Sequence, residues 1–307
     1  MTRYLSQEYI TEIETFATEL AKHCGNMLWD LFPNPLKSYA DLDVGFKDLD
    51  KKDPVTRADN EVQKYLIGRI KTKYPDHGVI GEEGETADGS VPDILWVLDP
   101  LDGTRNFMYG YPAFACSIGV LYRGIPICGV VFLPWPGIAP GILIHSSKGN
   151  GVKINDVFMP NIKKELDGKA IVTLPGSFSD GFRFNHLFAK NSGEPRSNGS
   201  IAYEMSLVAM GITQFAVISG AKLWDVAGTL CILSESGGDF RWLNSKLDNN
   251  DSIPIVDWNS YETCYKDLLG YLPSLVAAPK NIIDVVVEGI EHKSPSKGSF
   301  IKSFLRF

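Results

Sequence analysis

The stretch W-V-L-D-P-L-D-G-T-R-N-F occupies residues 96–107 and places two aspartates on a bend that follows an apolar run. The run at 94–98 has the length and composition of a buried strand. Pro100 lacks an N–H and has a fixed φ, so it predicts a turn and a strand that ends at Asp99. Asp102 follows three residues later, and two carboxylates on such a bend are the hard oxygen ligands that Mg²⁺ prefers.

Gly103 and Thr104 open a predicted short helical turn directly after this bend. Their backbone N–H groups would face the same space as the two carboxylates, where they are suited to binding an anion such as phosphate. An Asp-Pro-x-Asp-Gly turn is also common between surface elements that carry no chemistry. The flanking sequence decides between these two interpretations.

Length, composition and charge indicate a globular protein with a sizeable core. The chain has 307 residues, of which 44% are hydrophobic and 22% charged, and this suits one large or two medium domains. A net charge of −7 argues against a nucleic-acid polymer as partner. The apolar region at 113–135 is broken by Arg123, Gly124 and Pro126, so we predict no membrane span.

The five cysteines are scattered along the chain and form no C-x-x-C pair. Their odd number and spacing argue against a disulfide framework or a zinc site and favour free thiols in a reducing compartment. No basic segment followed by an apolar run and small residues opens the sequence, so no signal peptide is expected. We therefore expect a cytoplasmic protein.

Two amphipathic helices are predicted before the central stretch, over residues 6–32 and 56–74. Thr56 and Asp59 fit a capping box at the start of the second helix, and this interpretation competes for Asp59 with a place beside bound metal ions. The G-E-E at 81–83 follows a short apolar strand, and its glycine would let one carboxylate turn inward.

The second half alternates strand-like and helix-like segments, which predicts an α/β layer. A helix is expected from Trp224, with Gly237 as its left-handed stop. Asp225 lies in the first turn of that helix, where a carboxylate favours the helix dipole and can project from the helix end.

Three segments then occur in a specific order: G-E-E at 81–83, the stretch at 96–107, and W-D-V-A-G…E-S-G-G at 224–238. They resemble the three signatures of the inositol monophosphatase family, a group of lithium-sensitive, magnesium-dependent phosphatases that is related to fructose-bisphosphatase. The resemblance spans roughly residues 53–278. It implies a layered α+β or α/β fold, an αβαβα sandwich, that usually forms homodimers.

The signatures divide between two predicted halves of the chain. Residues 1–155 would form an N-terminal α+β half that carries the G-E-E and D-P-L-D-G-T motifs. Residues 156–307 would form a C-terminal α/β half that carries the W-D motif and ends in an exposed basic tail from about residue 293.

The resemblance also implies a site for two or three Mg²⁺ ions. The implied metal ligands are Glu82, Asp99, the carbonyl oxygen of Leu101, Asp102 and Asp225. The implied catalytic residues are Glu82 and Thr104, which would orient the attacking water, and Asp59, which would hydrogen-bond near Thr104. The implied phosphate- and substrate-binding residues are Gly103, Thr104, Gly199, Ser200, Ile201 and Ile218.

Such a cluster suits the hydrolysis of a small phosphate monoester. Two metal ions roughly 3.5–4 Å apart can lower the pKa of a water and stabilise the leaving alkoxide, so no covalent intermediate is needed. Four convergent carboxylates repel one another strongly at low dielectric, which makes the cluster implausible without cations. No Cys, Ser or His stands in a recognisable nucleophilic setting.

Two positions depart from the enzymes that act on inositol phosphate. Those enzymes usually carry Glu seven residues before the Asp of the W-D motif, where it accepts hydrogen bonds from inositol hydroxyls, and this chain has Ile218 there. They also carry a small residue where Ile201 stands. Ile218 ends a predicted strand shortly before the helix of Asp225, so we expect its side chain at the mouth of the cleft and inositol phosphate to be a poor substrate. The alternative is that Ile218 packs in the core.

Other functions remain open at this level. Within the phosphatases, the alternative substrates are nucleotide 3′-phosphates such as phosphoadenosine phosphate, and sugar or histidinol phosphates. A haloacid-dehalogenase-type phosphatase spaces its two aspartates two residues apart, whereas Asp99 and Asp102 are three apart, so we reject that class. A metal-binding relative without catalysis would be expected to lack at least one ligand, and all four acidic positions are present.

Overall fold

The computed structural model describes residues 5–33, 44–46, 54–83, 90–243 and 265–293. Its α-helices within these ranges are α1 (Gln7–Leu31), α2 (Arg57–Lys73), α3 (Thr104–Met108), α4 (Phe178–Gly181), α5 (Ile201–Ala209), α6 (Leu223–Glu235) and α7 (Ile283–Glu288). Short 3-10 helices cover Ala189–Asn191 and Tyr265–Leu269. No helix in the described part of the chain combines the length and the apolar character that crossing a membrane requires.

The larger sheet has seven strands in the order β3-β4-β5-β6-β7-β8-β9. These strands are β3 (Gly78–Gly81), β4 (Ile94–Asp102), β5 (Ala115–Tyr122), β6 (Ile125–Trp135), β7 (Ile138–Ser147), β8 (Val152–Ile154) and β9 (Val157–Phe158). Strands β3 and β4 are parallel, and every other neighbouring pair is antiparallel. A small antiparallel ribbon of β1 (Gly45–Phe46) and β2 (Pro54–Val55) precedes this sheet.

The smaller sheet has five strands in the order β12-β10-β13-β15-β14. These strands are β10 (Ile171–Thr173), β12 (Glu194–Arg196), β13 (Ala216–Ile218), β14 (Gly238–Trp242) and β15 (Leu275–Pro279). Strand β10 is parallel to β12 and β13, and β15 is antiparallel to β13 and β14. A separate ribbon pairs β11 (Phe182–Phe184) with β16 (Ile290–His292).

The helices and the two sheets form five layers. Helices α1 and α2 share a buried apolar cluster with one face of the large sheet. Helices α5 and α6 lie between the large and small sheets and share a second cluster with both. Helix α7 and the β11–β16 ribbon cover the outer face of the small sheet. The predicted αβαβα sandwich is therefore confirmed.

Glycines allow α6 to approach the large sheet closely. A Cβ on Gly119 of β5 would lie 2.6 Å from the backbone carbon of Ala227, and one on Gly129 of β6 would overlap the carbonyl oxygen of Gly228. Only residues without a side chain permit this separation. The helix that carries Asp225 is thus held directly against β5 and β6, the two strands that follow β4 in the sheet.

Strand β4 differs from its prediction. It continues through Pro100 to Asp102 and does not end at Asp99. The prediction was wrong because the absence of an N–H on Pro100 is accommodated by a register shift between Asp99 and Asp102, after which pairing with β5 resumes. The predicted turn has become a bulge within a longer strand.

The predicted helix starts and stops agree with the structure. Thr56 caps α2 and pairs with Asp59 in a capping box, and Gly237 follows α6 with φ +86°. The division between residues 1–155 and 156–307 stays a prediction, although the large sheet ends at β9, a few residues beyond the proposed boundary. The basic tail lies outside the described residues from residue 294 onward.

A buried ionic cluster joins α1 to the far part of the large sheet. Glu14 is only 3% exposed, and its Oε1 lies 2.7 Å from His145 Nδ1 and 3.7 Å from Lys153 Nζ. Its Oε2 accepts a hydrogen bond from Ser147 Oγ. Burial acts to raise the pKa of Glu14, but these partners outweigh it and hold the pKa below its usual value.

We expect Glu14→Ala to lower the free energy of unfolding by about 3 kcal/mol at neutral pH, because His145, Ser147 and Lys153 lose a shared buried acceptor. A group with a lowered folded-state pKa contributes stability that is present above its unfolded-state pKa and lost as pH falls through the folded-state value. The difference between wild type and Glu14→Ala in urea unfolding should therefore shrink as the pH falls below the ordinary value of 4.5.

Glu19→Ala provides a matched control, since Glu19 is an exposed carboxylate on the same helix. It should change the free energy of unfolding by less than about 0.5 kcal/mol. A Glu14→Ala deficit that stays constant across the acidic range would contradict the assigned ionic role.

Candidate active site

Strand β4 carries two aspartates to the place where it leaves the large sheet. Asp99 pairs with Ser117 of β5, and Asp102 pairs with Ala115 after the register shift. The N–H of Leu101 donates to Asp99 Oδ1 at 3.1 Å. Both carboxylates therefore project from a bend whose two sides are fixed by sheet pairing.

Asp99 is the most deeply buried of these carboxylates, with 1% exposure. Its Oδ2 has no hydrogen-bond partner among the described residues. Burial raises the pKa of Asp99 well above its usual range, and the carboxylates of Glu82, Asp102 and Asp225 raise it further. A buried oxygen in this state is costly unless a cation or a donor satisfies it.

Asp102 connects the end of β4 to the start of α5. Its Oδ2 accepts from Ser200 Oγ at 2.8 Å and from the N–H of Ala202 at 2.5 Å. Ser200 is the N-cap of α5, and its Oγ also accepts from the N–H of Tyr203 at 3.2 Å. Burial and the Asp225 carboxylate raise the pKa of Asp102 well above its usual range, although these two hydrogen bonds act to lower it.

Asp225 reaches the same space from the first turn of α6. Its Oδ2 accepts from the N–H of Lys222 at 2.7 Å. Burial raises the pKa of Asp225 to about 7, against the lowering effect of that hydrogen bond. One oxygen each of Asp99, Asp102 and Asp225 lies within 4.8 Å of the others, an arrangement that could hold a metal ion.

Glu82 follows β3 and borders this cluster. Its N–H donates to the carbonyl oxygen of Leu98 at 3.1 Å, which extends the pairing of β3 with β4 by one residue. Its carboxylate raises the pKa of Asp59 and of the three clustered aspartates. The structure thus brings all four predicted acidic ligands together, while their role as ligands stays a prediction.

Asp59 belongs to the capping box of α2 and also contacts Thr104, while its place beside metal ions stays a prediction. Its Oδ2 accepts from the N–H and Oγ1 of Thr56, at 2.7 and 2.5 Å, in the capping box of α2. Its Oδ1 lies 3.1 Å from Thr104 Oγ1, which is also 3.1 Å from the carbonyl oxygen of Leu101. Burial raises the pKa of Asp59, and the hydrogen bonds from Thr56 partly offset this effect.

Gly103 forms the turn between β4 and α3. Its φ of +90° belongs to the left-handed region, which side-chain-bearing residues rarely adopt. A Cβ at this position would lie 3.0 Å from Ser200 Cβ and 3.1 Å from the carbonyl oxygen of Ala113. The backbone of Gly103 and Thr104 therefore lies beside the carboxylate cluster, and its role in binding phosphate stays a prediction.

The remaining predicted substrate residues fall in two environments. Gly199 and Ser200 precede α5 beside Asp102, and the half-buried Ile201 is the first residue of that helix. Ile218 is 2% exposed, belongs to the core between the sheets and pairs with Leu275 across β13 and β15. Its predicted place at the mouth of the cleft is wrong, because the core packing of β13 buries its side chain.

Two contributors were missed by the sequence analysis. Asn106 Nδ2 donates to the carbonyl oxygens of Ala113 and Asn198, each at 2.6 Å. Glu204 Oε1 accepts from the N–H groups of Asn198 and Gly199, at 2.5 and 3.2 Å. Asn106 lies inside the central sequence stretch, so its position was a usable signal, whereas a Glu four residues after Ser200 is an ordinary helix residue.

A comparison with protein families agrees with this geometry. Residues 10–268 match the model of the inositol monophosphatase family. The chain belongs to the inositol monophosphatase family. Membership supports phosphatase activity and metal dependence, which agrees with a cluster of three aspartates that could hold an ion.

Individual members of the inositol monophosphatase family carry different names. Nus factor SuhB from Haemophilus influenzae is 33% identical over 210 residues, which cover 66% of this chain and 77% of that protein. Inositol monophosphatase 1 from Saccharomyces cerevisiae is 31% identical over 249 residues, covering 75% and 81%. The structure of an IMPase from Thermotoga maritima superposes with a TM-score of 0.66 at 25% identity, covering 89% of this chain and 94% of that one.

Gly103→Ala should distort the turn beside the cluster. The left-handed backbone alone costs roughly 1–2 kcal/mol with a side chain present, and crowding against Ser200 and Ala113 adds to this cost. We expect a lower melting temperature and at least a tenfold loss of phosphate-ester hydrolysis, measured together on the same preparation.

Gly137→Ala is the matched control for the backbone cost. Gly137 also has a positive φ, +78°, but a Cβ there would meet nothing within 4 Å. This variant should lose stability without losing hydrolysis. Equal losses of activity in the two variants would show that the crowding at Gly103 is unimportant.

Proposed function

We propose that the protein is a magnesium-dependent phosphate monoester hydrolase of small substrates. The observation that carries the proposal is the convergence of Asp99, Asp102 and Asp225 within 4.8 Å in a buried space. The unpartnered Oδ2 of Asp99 is the specific feature that points to a cation, because burying a carboxylate oxygen without a partner is otherwise destabilising.

The donor set fits Mg²⁺. Every candidate ligand is an oxygen, and Mg²⁺ prefers oxygen ligands from carboxylates and carbonyls. The residues that would hold two or three ions are Glu82, Asp99, the carbonyl oxygen of Leu101, Asp102 and Asp225. When bound, such ions would act as Lewis acids, which lower the pKa of a water and stabilise the charge on the leaving oxygen.

The chain's own residues would position the reactants. The Thr104 hydroxyl can donate a hydrogen bond to Asp59. A lone pair on the Thr104 oxygen can then accept a hydrogen bond from the attacking water. Glu82 borders the same space and would orient that water with Thr104. The N–H groups of Gly103 and Thr104 would hold phosphate oxygens, and the turn at 199–201 would line the substrate pocket.

Three cysteines in the described part of the chain, Cys116, Cys128 and Cys231, are buried and poorly suited to act as a competing nucleophile. Burial raises the pKa of Cys128 well above its usual range and that of Cys231 to about 12. A hydrogen bond with Cys24, together with burial, raises the pKa of Cys116 well above its usual range. Thiols in this state are poor nucleophiles because the thiolate is the reactive form. This supports direct attack by water.

Several classes of phosphate ester are compatible with the proposed reaction. Inositol phosphate, nucleotide 3′-phosphates, sugar phosphates and histidinol phosphate all contain the ester that the site would hydrolyse. Ile218 is buried, and its apolar side chain offers no acceptor to a polyol. A panel of these esters, assayed with Mg²⁺, would rank them.

A second candidate function is metal binding without catalysis. It is favoured by one observation, namely that a relative of comparable identity is named a Nus factor and not a phosphatase. The complete acidic cluster favours the enzyme. For either function we expect a cytoplasmic homodimer, on the basis of the family resemblance and the free cysteines.

Removing divalent cations tests the reaction. Exhaustive treatment with EDTA should abolish hydrolysis, and added Mg²⁺ should restore it, since the cluster would then lack its Lewis acid. Lithium at millimolar levels should inhibit, as the family resemblance implies. A fully chelated preparation that keeps its rate would refute the proposed mechanism, and a wild-type protein inactive on every ester would favour the non-catalytic function.

Asp102→Asn and Asp225→Asn should each reduce kcat at least a hundredfold with the fold retained. Each substitution removes one charge from the cluster at nearly constant volume, so metal affinity falls while packing is preserved. Asp180→Asn, which changes an exposed carboxylate on α4, is the control and should have wild-type kinetics. Near-normal turnover of either cluster variant at saturating Mg²⁺ would show the ligand assignment to be wrong.

A further inference from the structure

The turn at residues 198–200 links β12 to the carboxylate cluster. Its last residue, Ser200, donates to Asp102 Oδ2, and the N–H of Ala202 donates to the same oxygen. Two donors, one in this turn and one just after it, therefore fix the position of Asp102 Oδ2. Any displacement of the turn would move both donors and change the orientation of the Asp102 carboxylate.

Glu204 contacts this turn from the first part of α5. It is 5% exposed, and its Oε1 accepts from the N–H groups of Asn198 and Gly199 at 2.5 and 3.2 Å. Hydrogen bonds to an ionised carboxylate are stronger than those between neutral groups. Burial raises the pKa of Glu204 to about 7 although these bonds lower it, so this carboxylate is kept in the interior at an energetic cost.

Asn106 holds the same turn from the opposite side. Its Nδ2 donates to the carbonyl oxygen of Asn198 and to that of Ala113, each at 2.6 Å. The peptide units around Asn198 are thus bonded at the N–H by Glu204 and at the carbonyl by Asn106. Asn106 lies on α3, two residues after Thr104, so its hydrogen bond ties the turn to the predicted phosphate-binding backbone.

Ordinary helix capping does not account for Glu204. In a capping box the acidic residue is the third of the helix and bonds the N–H of the cap residue. Here the cap is Ser200, which bonds Tyr203, and Glu204 is the fourth helical residue. Its two bonds go to the residues before the cap, so they fix the incoming turn and leave the helix end to Ser200.

We propose that Glu204 is a positioning residue that fixes the turn at 198–200, and through Ser200 the carboxylate of Asp102, for the hydrolytic reaction. The proposal rests on the proposed function. The hydrogen bonds of Glu204 go to Asn198 and Gly199 and not to Asp102 or Asp225, so it would act through the turn and not on the substrate. Removing its acceptor should impair the chemical step more than substrate binding.

The test compares Glu204→Ala, Glu204→Gln and a matched control, Glu14→Ala. Gln keeps an oxygen acceptor of the same reach, whereas Ala removes it. Glu14 is equally buried and also accepts several hydrogen bonds, but it lies on α1 outside the candidate site. The assays are kcat and KM with Mg²⁺ on p-nitrophenyl phosphate, inositol phosphate and adenosine 3′-phosphate, together with amide hydrogen exchange of residues 197–203 in the metal-free protein.

We expect Glu204→Ala to lower kcat at least tenfold with KM changed less than threefold, and to speed exchange in residues 197–203 at least tenfold. Glu204→Gln should stay within threefold of wild type in both measurements. Glu14→Ala should keep wild-type kcat at a temperature where it is folded. If Glu204→Ala does not fold, Glu204→Asp, which is one methylene too short for both bonds, should show the same two effects.

Three results would overturn the positioning role: faster exchange with unchanged kcat, unchanged exchange in the alanine or aspartate variant, or a glutamine variant as impaired as the alanine variant. A wild-type protein that hydrolyses none of the three esters would overturn the proposed function itself, and the positioning role with it. These failures are distinguishable because only the last one affects the unmodified chain.

Discussion

Repulsion among buried carboxylates is the constraint on which the rest of this structure depends, because the backbone must hold these groups together. Glu82, Asp99, Asp102 and Asp225 share one space, and burial raises the pKa of each of the three aspartates. Like charges at short range in a low-dielectric interior repel by several kcal/mol. An arrangement of this kind persists only where the backbone cannot relax and carry the groups apart.

The scaffold prevents that relaxation by fixing the four carboxylates at the ends of three elements, β3, β4 and α6. Asp99 and Asp102 are held by pairing of β4 with β5 on both sides of a bulge. Asp225 is held because α6 lies against glycines of β5 and β6, a separation at which no helix shift is tolerated. Backbone N–H groups of Leu101, Ala202 and Lys222 then complete the support.

Local signals in the sequence were sufficient to predict several elements of this scaffold. The capping box of α2, the stop of α6 at Gly237 and the apolar run of β4 each depend on residues within one or two turns of chain. Local sequence could not show how far β4 extends beyond Pro100, because that depends on a partner strand that accommodates the missing N–H. The order of the small sheet is equally non-local, since β12 and β14 lie at opposite edges.

The failures at Ile218 and Glu204 have a common physical cause. Ile218 was placed by its distance from Asp225 along the chain, yet its pairing with Leu275 directs it into the core. Glu204 has no distinctive sequence context, yet it bonds a turn that enters from β12. Of the clustered carboxylates, Asp99 and Asp102 come from one continuous stretch of sequence, whereas the groups around them come from several elements whose packing decides which side chains face the cluster. A motif can therefore indicate the reaction while leaving the substrate undetermined.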